Sequence, residues 1–206
     1  GVEAVAPVHP GSTQLMYGSS NWYTSVFGVT PAYLDVRDWP LSEGLPFGES
    51  DVRSATRVAL IGQTTAENLF GDEDPVGKTL RIRNSPYLVA GVLGRKGQSL
   101  DGRDQDDTVL IPVSTAQRKL YGTPFVGSVR LIQVQAESAE AMDGVEKALK
   151  NLLRQRHRIR EGADDDFTVR NLTAVAQSAA ETTRVMSLLL GAIASVSLLV
   201  GGIGIM

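Results

Sequence analysis

The chain has 206 residues, 20 lysines and arginines against 23 aspartates and glutamates, a net charge of −3 and no cysteine. Mild acidity argues against a nucleic-acid surface, which shows clustered Lys and Arg, and the missing thiols exclude disulfides and Cys-ligated metals. The length suits one ordinary domain or two small lobes ahead of an apolar end.

Val2–Val8 is a short apolar run closed by His9-Pro10-Gly11, a turn signal, and predicts a strand. Thr13–Val29 is rich in Tyr, Trp, Val, Thr and Phe and is broken at Gly18–Asn21, which predicts two strands joined by a turn. Trp22 and Tyr23 are neighbours, so on a strand they face opposite ways, one to the core and one outward. Thr30 as N-cap and Pro31 at the first helical position predict a short helix to Arg37. Trp39–Gly48 carries Pro40, Gly44, Pro46 and Gly48 and reads as loop; Ser50–Ser54 reads as one helical turn. Arg57–Ile61 reads as a strand, Gln63–Phe70 as a helix and Gly71–Gly77 as an acidic turn. Thr79–Arg83 alternates as a half-buried strand does. After Asn84-Ser85, Pro86–Leu93 is its partner, with proline tolerated at the strand's start.

Gly94–Asp107 holds three glycines among many charges and predicts a long exposed loop. Such loops are uncommon in compact domains and are often functional. Its residues Arg95, Lys96, Gln98, Arg103, Asp104, Asp106 and Asp107 form the candidate partner surface; a solvated hairpin tip is the plainer reading. Thr108–Val113 predicts a strand, and Ser114 caps a helix over Thr115–Tyr121 that Gly122 ends. Ser128–Ala136 alternates, with Leu131-Ile132 marking a bulge. Ser138 caps a long amphipathic helix whose face is Met142, Val145, Leu149, Leu152 and Leu153. Acids early and bases late suit the helix dipole, and the basic run Arg154–Arg160 is read the same way. Glu161–Asp166 is an acidic loop before a short strand, Phe167–Arg170.

Strand, helix and strand over Ser128–Arg170 predict a parallel crossover unit. Val2–Val8 joins that sheet, and the strand-rich middle reads as a lobe inserted into it. From Thr173 the pattern is helical to Met206. Met186–Met206 has 21 residues and no charge, about the length that crosses a bilayer core. Gly191, Ser195, Gly201, Gly202 and Gly204 favour a membrane helix, where small residues allow close approach. A start without Met and an end inside the span predict a piece of a longer membrane protein.

Three patterns fail as sites. Gly71 and Gly77 enclose five residues before Lys78-Thr79, one more than a phosphate loop needs, and a strand follows. From Asp101, an EF-hand would need an oxygen ligand at Arg103 and glycine at Asp106; a looser ion site stays open. Asp164–Asp166 reads as a turn or cap. With His9 and His157 the only histidines and no nucleophile motif, enzyme chemistry is poorly supported.

Several stretches, in order along the chain, resemble the extracytoplasmic domain of MacB-like ABC transporter permeases. They are Gly28–Leu34 with Val36-Arg37, Asp74–Leu80, Gln105–Gln117, His157–Ile159, Asp165–Asn171 and the apolar Leu188–Met206. The resemblance implies an α+β fold with a ferredoxin-like porter lobe (1–12 and 127–172) and an inserted smaller lobe (13–126). A stalk helix (173–185) and a transmembrane helix (186–206) would follow. It implies an inner-membrane protein that dimerises, with this domain facing the periplasm or exterior. ATP and Mg would be bound by a nucleotide-binding domain or subunit outside this piece, which itself would hold no cofactor and no catalytic site. A periplasmic adaptor is the expected partner, and movement of the span would pass through the stalk. The competing readings are a ligand-binding sensor domain of a receptor and, less supported, an extracytoplasmic enzyme.

Overall fold

The computed structural model describes residues 1–99, 102–122, 128–172 and 185–195. The chain divides into two compact units, Gly1–Glu137 and Ser138–Met206.

In the first unit eight strands form one sheet. β1 (Val2–Tyr17) and β2 (Ser20–Val29) make a long hairpin. β3 (Leu41–Gly44), β4 (Val58–Ile61), β5 (Thr79–Ile82), β6 (Ser85–Leu93), β7 (Thr108–Pro112) and β8 (Leu131–Ala136) follow. Pairing runs β2-β7-β4-β6-β5-β1, and β1 returns to β2, so six strands close into a barrel. β2 with β7 and β4 with β6 are parallel; the other pairs are antiparallel. β3 lies along β6, and β8 along the first half of β1.

Strand alternation sends side chains to two sides of this wall. Leu15, Val26, Ile61, Tyr87, Val109 and Ile111 belong to one core, together with Leu69 and Phe70 of α3 (Gln63–Phe70). Ala6, Val8, Val29, Leu60 and Leu110 belong to a second, covered by Tyr33 of α1 (Ala32–Val36), Trp39 and Phe47. Cover on both sides is why β4 and β7 read as unbroken apolar runs. β5 has cover on one side only, and there Thr79 and Arg81 are exposed while Leu80 and Ile82 are buried.

The structure departs from several expectations. β1 does not turn at His9-Pro10-Gly11 but runs through it; residues 9–14 have, among the described residues, a strand partner only in β2, so β1's other edge makes no ladder there for proline to break. Trp39–Gly48 contains a strand, β3, because Ser42 and its neighbours bind the free stretch of β6. Thr30 does not cap α1, whose N-cap is Pro31, and its hydroxyl is buried without a partner among the described residues. Ser114 lies inside α4 (Val113–Thr115) and donates to the Val52 carbonyl instead of capping; the helix continues as a π-helical turn, Ala116–Leu120. β8 begins at Leu131, and the register shift against it falls on β1 between Val2 and Ala4, so Leu131-Ile132 is no bulge. α2 is Glu49–Ser54, as the pattern predicts within a residue.

In the second unit, Ser138 Oγ accepts the Ala141 amide at 3.3 Å, one turn before α5 (Met142–His157). α5 buries Val145 and ends at Arg158 in the left-handed region, φ 57°. Arg154 donates to Asp165 and to the carbonyls of Ala163, at 3.1 Å, and Arg160, at 2.9 Å. The basic run is therefore an ion-paired clasp with the acidic loop as well as a dipole partner. Residues 167–170 are not a strand, so the crossover unit is not formed; Phe167 sets its ring edge-on to His157 at 5.8 Å instead. Residues 185–195 are helical and exposed. Residues 173–184 of the expected stalk and 196–206 of the expected span lie outside the described residues. Among the described residues no helix is long and apolar enough to cross a membrane.

Candidate functional site

The candidate site is the connection from β6 to β7, Gly94–Asp107. Its two ends are neighbours because β6 runs parallel to β4 and β7 antiparallel to β4. The chain returns on itself through a bridge between Gln98 and Asp104, and Gln105 donates its amide to the Gly97 carbonyl at 3.0 Å. Asp106 fixes this arch from inside. One of its carboxylate oxygens accepts the Lys96 amide at 2.7 Å and the other the Gly97 amide at 2.9 Å. Asp106 is 3% exposed. Charge-assisted bonds to two otherwise free backbone donors offset the cost of burying that carboxylate. Gly62, which leads into α3, approaches so closely that a Cβ there would overlap the Asp106 carbonyl.

Asp107 is spent in the same way. Its Oδ1 accepts Trp22 Nε1 at 2.7 Å and the Thr65 hydroxyl at 3.3 Å, and its carbonyl accepts the Thr24 hydroxyl at 2.9 Å. Asp104 accepts the Asp106 amide at 2.9 Å on one oxygen and the Thr64 hydroxyl at 2.7 Å on the other. Arg95 pairs with Glu67 of α3 across the outside. Lys96 crosses above the Trp39 ring, 5.4 Å from its centroid, and donates to the Arg37 carbonyl. Burial, and then the Arg37 guanidinium, push the Lys96 amine below its ordinary value. Arg37 in turn donates to Gln105 Oε1 at 2.7 Å.

The seven candidate residues therefore separate. Arg95, Gln98, Arg103 and Asp104 are exposed; Lys96 and Asp107 are half-buried and Asp106 is buried. The last three hold the loop's shape and do not face outward. The loop's described residues, 94–99 and 102–107, form an arch pinned to α3, β2 and the segment after α1. Sequence reading missed the residues that pin it: Trp22, Arg37, Trp39, Thr64, Thr65 and Glu67. Only Trp22 carried a signal, through its alternation with Tyr23. Chemically the arch presents mixed charge on a fixed frame, with its inner carboxylates already accepting hydrogen bonds. Among the described residues no group of acids and histidines could hold a metal ion. The rejected phosphate loop is a turn in which Lys78 Nζ lies 2.8 Å from Glu73.

Residues 1–152 match the family model of the MacB-like periplasmic core domain. Over its full length the chain is 40% identical to the macrolide export ATP-binding/permease protein MacB of Rhodospirillum rubrum, covering 31% of that protein. It is 36% identical to the pyoverdine export ATP-binding/permease protein PvdT of Pseudomonas aeruginosa, again over its full length and 30% of the relative. The chain thus spans about a third of the length of these relatives. The crystal structure of the periplasmic region of MacB from Actinobacillus actinomycetemcomitans is similar, with a TM-score of 0.68 and 25% identity over 86% of this chain and 75% of that one. The extracellular domain of the ABC-type transporter YknZ from Gram-positive bacteria gives a TM-score of 0.65 at 25% identity, covering 78% and 79% of the two chains.

Proposed function

Because the chain belongs to the MacB-like periplasmic core domain family, we propose that it serves an ABC-type export permease as a docking and force-transmitting module. The observation that carries this reading is the match of its whole length to about a third of export permeases. In this reading the domain stands outside an inner membrane. ATP and Mg act in a nucleotide-binding domain or subunit beyond this piece, and two copies work together. In this reading residues 1–12 and 127–172 make up the porter lobe, with 13–126 inserted. Residues 173–185 act as the stalk and 186–206 as the membrane helix. A stiff helix running from lipid into a folded domain is a suitable lever, because tilting one end moves the other.

The outward residues of the arch, Arg95, Gln98, Arg103 and Asp104, are the proposed adaptor-docking surface. Anchoring supports this: a loop fixed before contact loses less entropy on binding. The chain has no cysteine, so Gln98→Cys in the full-length protein, cleared of other cysteines, gives one reporter. Labelling by an impermeant maleimide in cells with permeabilised outer membranes is expected, as is cross-linking to an adaptor. Labelling only after lysis overturns the reading. Separately, a Gly-Pro insertion at Thr183 should abolish export and spare ATP hydrolysis; export that survives the insertion removes the lever.

A further inference from the structure

The side of the barrel wall that carries Ala6, Val8 and Val29 under Tyr33, Trp39 and Phe47 continues past that cover. By strand parity Met16 of β1, Tyr23 of β2, Arg81 of β5 and Leu88 of β6 stand on the continuation. They are contiguous in register. Met16 lies opposite Asn21 on one edge and Arg81 on the other. Tyr23 lies opposite Gln14, Arg81 opposite Pro86, and Leu88 opposite Thr79. Tyr23 is 68% exposed, Leu88 45% and Met16 42%. Solvent-facing positions of an antiparallel wall are normally polar, and these three break the rule, Met16 and Tyr23 on neighbouring strands and Leu88 across β5 from them.

The charge of this face is single and cationic. Among its exposed positions only Arg81 is charged, and no ion pair to it occurs among the described residues. That stands out on a chain of net charge −3. Tyr, Met and Arg are the residues enriched at the centres of protein interfaces, and Tyr and Arg dominate their energetics. A nucleic acid would call for several cations along a track, and a small molecule for a concave site. A guanidinium set among apolar side chains best fits a carboxylate, which it can grip through two parallel hydrogen bonds.

We propose that this uncovered wall, centred on Met16, Tyr23, Arg81 and Leu88, docks a protein partner that brings a carboxylate flanked by apolar side chains. The face is distinct from the Gly94–Asp107 arch and does not depend on what the arch binds. Tyr23 and Leu88 supply the apolar anchor, and Arg81 sets specificity.

The test places a photoreactive phenylalanine analogue at Tyr23 of the full-length protein in its own cells, with the same residue at Glu49 of α2 as control. The expected result is one adduct with a different protein, cross-linked within a few residues of an Asp or Glu. Arg81→Glu should cut its yield about tenfold or more, since like charges then face each other. Changing the partner's carboxylate to Arg in that background should restore the yield. Arg81→Gln, measured beside the charge reversal, separates loss of the contact from loss of the fold, because it keeps the strand surface polar and neutral. An adduct with a second copy of this chain, one indifferent to both Arg81 variants, or none above the Glu49 control overturns the proposal.

Discussion

Trp22 Nε1 donates to Asp107 Oδ1 at 2.7 Å across 85 residues of chain. The bond closes β2 onto the foot of the arch and turns Trp22 toward the first core, against which it packs. Alternation then obliges Tyr23 to face outward. Removing the acceptor leaves a half-buried indole N–H unpaired, so Asp107→Ala should lower stability by about 1–3 kcal/mol. Trp22→Phe removes the donor while keeping most of the apolar area. In urea denaturation the double variant should lose less than the sum of the singles, by about 0.5 kcal/mol or more. Strict additivity would mean the bond contributes nothing beyond its separate partners.

Two glycines should respond in opposite directions to the same methyl group. At Gly62 it would overlap the Asp106 carbonyl, and neither backbone can shift without disturbing the arch. Gly62→Ala should cost about 1–3 kcal/mol. At Gly144, in the first turn of α5, nothing among the described residues lies within 4 Å of the added carbon. There alanine should stabilise by about 0.5–1 kcal/mol, through the lower entropy of its unfolded state. Thermal melts of the two variants check both signs, and equal losses would refute the overlap argument.

Much of the fold was legible wherever local pattern and tertiary context agree. β5 alternates because one face is open, and β4 and β7 are continuous because neither is. Pattern failed where a distant partner decides. His9-Pro10-Gly11 has turn chemistry, yet β2 holds those residues extended; Gly11 leaves room for the Tyr121 ring, which a Cβ there would strike. Leu41–Gly44 has loop chemistry, yet the free stretch of β6 recruits it. Phe167–Arg170 has strand chemistry but pairs with no strand. At the arch the residue types pointed to a surface. Nothing local told Asp106, which binds two amides from within, from Asp104, which stays exposed. That distinction depends on Gly62 and α3, more than thirty residues earlier.

His9 should make the first unit acid-sensitive. It is buried, stacks on Tyr121 at 5.8 Å between centroids, and leaves Nδ1 without a hydrogen-bond partner among the described residues. Burial, and then the nearby Arg130 charge, lower its pKa from the ordinary 6.5. The folded state therefore binds a proton less readily than the unfolded state. Its contribution is complete above pH 6.5 and is lost as pH falls from there through the lowered folded value. In urea midpoints measured from pH 7 to pH 5, His9→Leu should flatten part of the slope. Parallel profiles for the two proteins would show that His9 is not the group responsible.

Arg154 is the centre of the clasp that closes α5. Its guanidinium reaches Asp165 and two carbonyls at once, and its side chain is 25% exposed. Lys150 stands 3.4 Å from the same carboxylate but is 57% exposed. An exposed pair contributes little, so Lys150→Ala should change stability by under about 0.5 kcal/mol. Arg154→Ala strands Asp165 and two carbonyls and should cost about 1–3 kcal/mol. Arg154→Lys keeps the charge but loses the planar fork, so it should recover less than half of that. Hydrogen exchange of the amides from Ile159 to Asp166 reads the clasp directly. Protection there should fall in the order wild type, Arg154→Lys, Arg154→Ala. Full recovery by lysine would show that charge alone, rather than the three-way geometry, holds the loop to the helix.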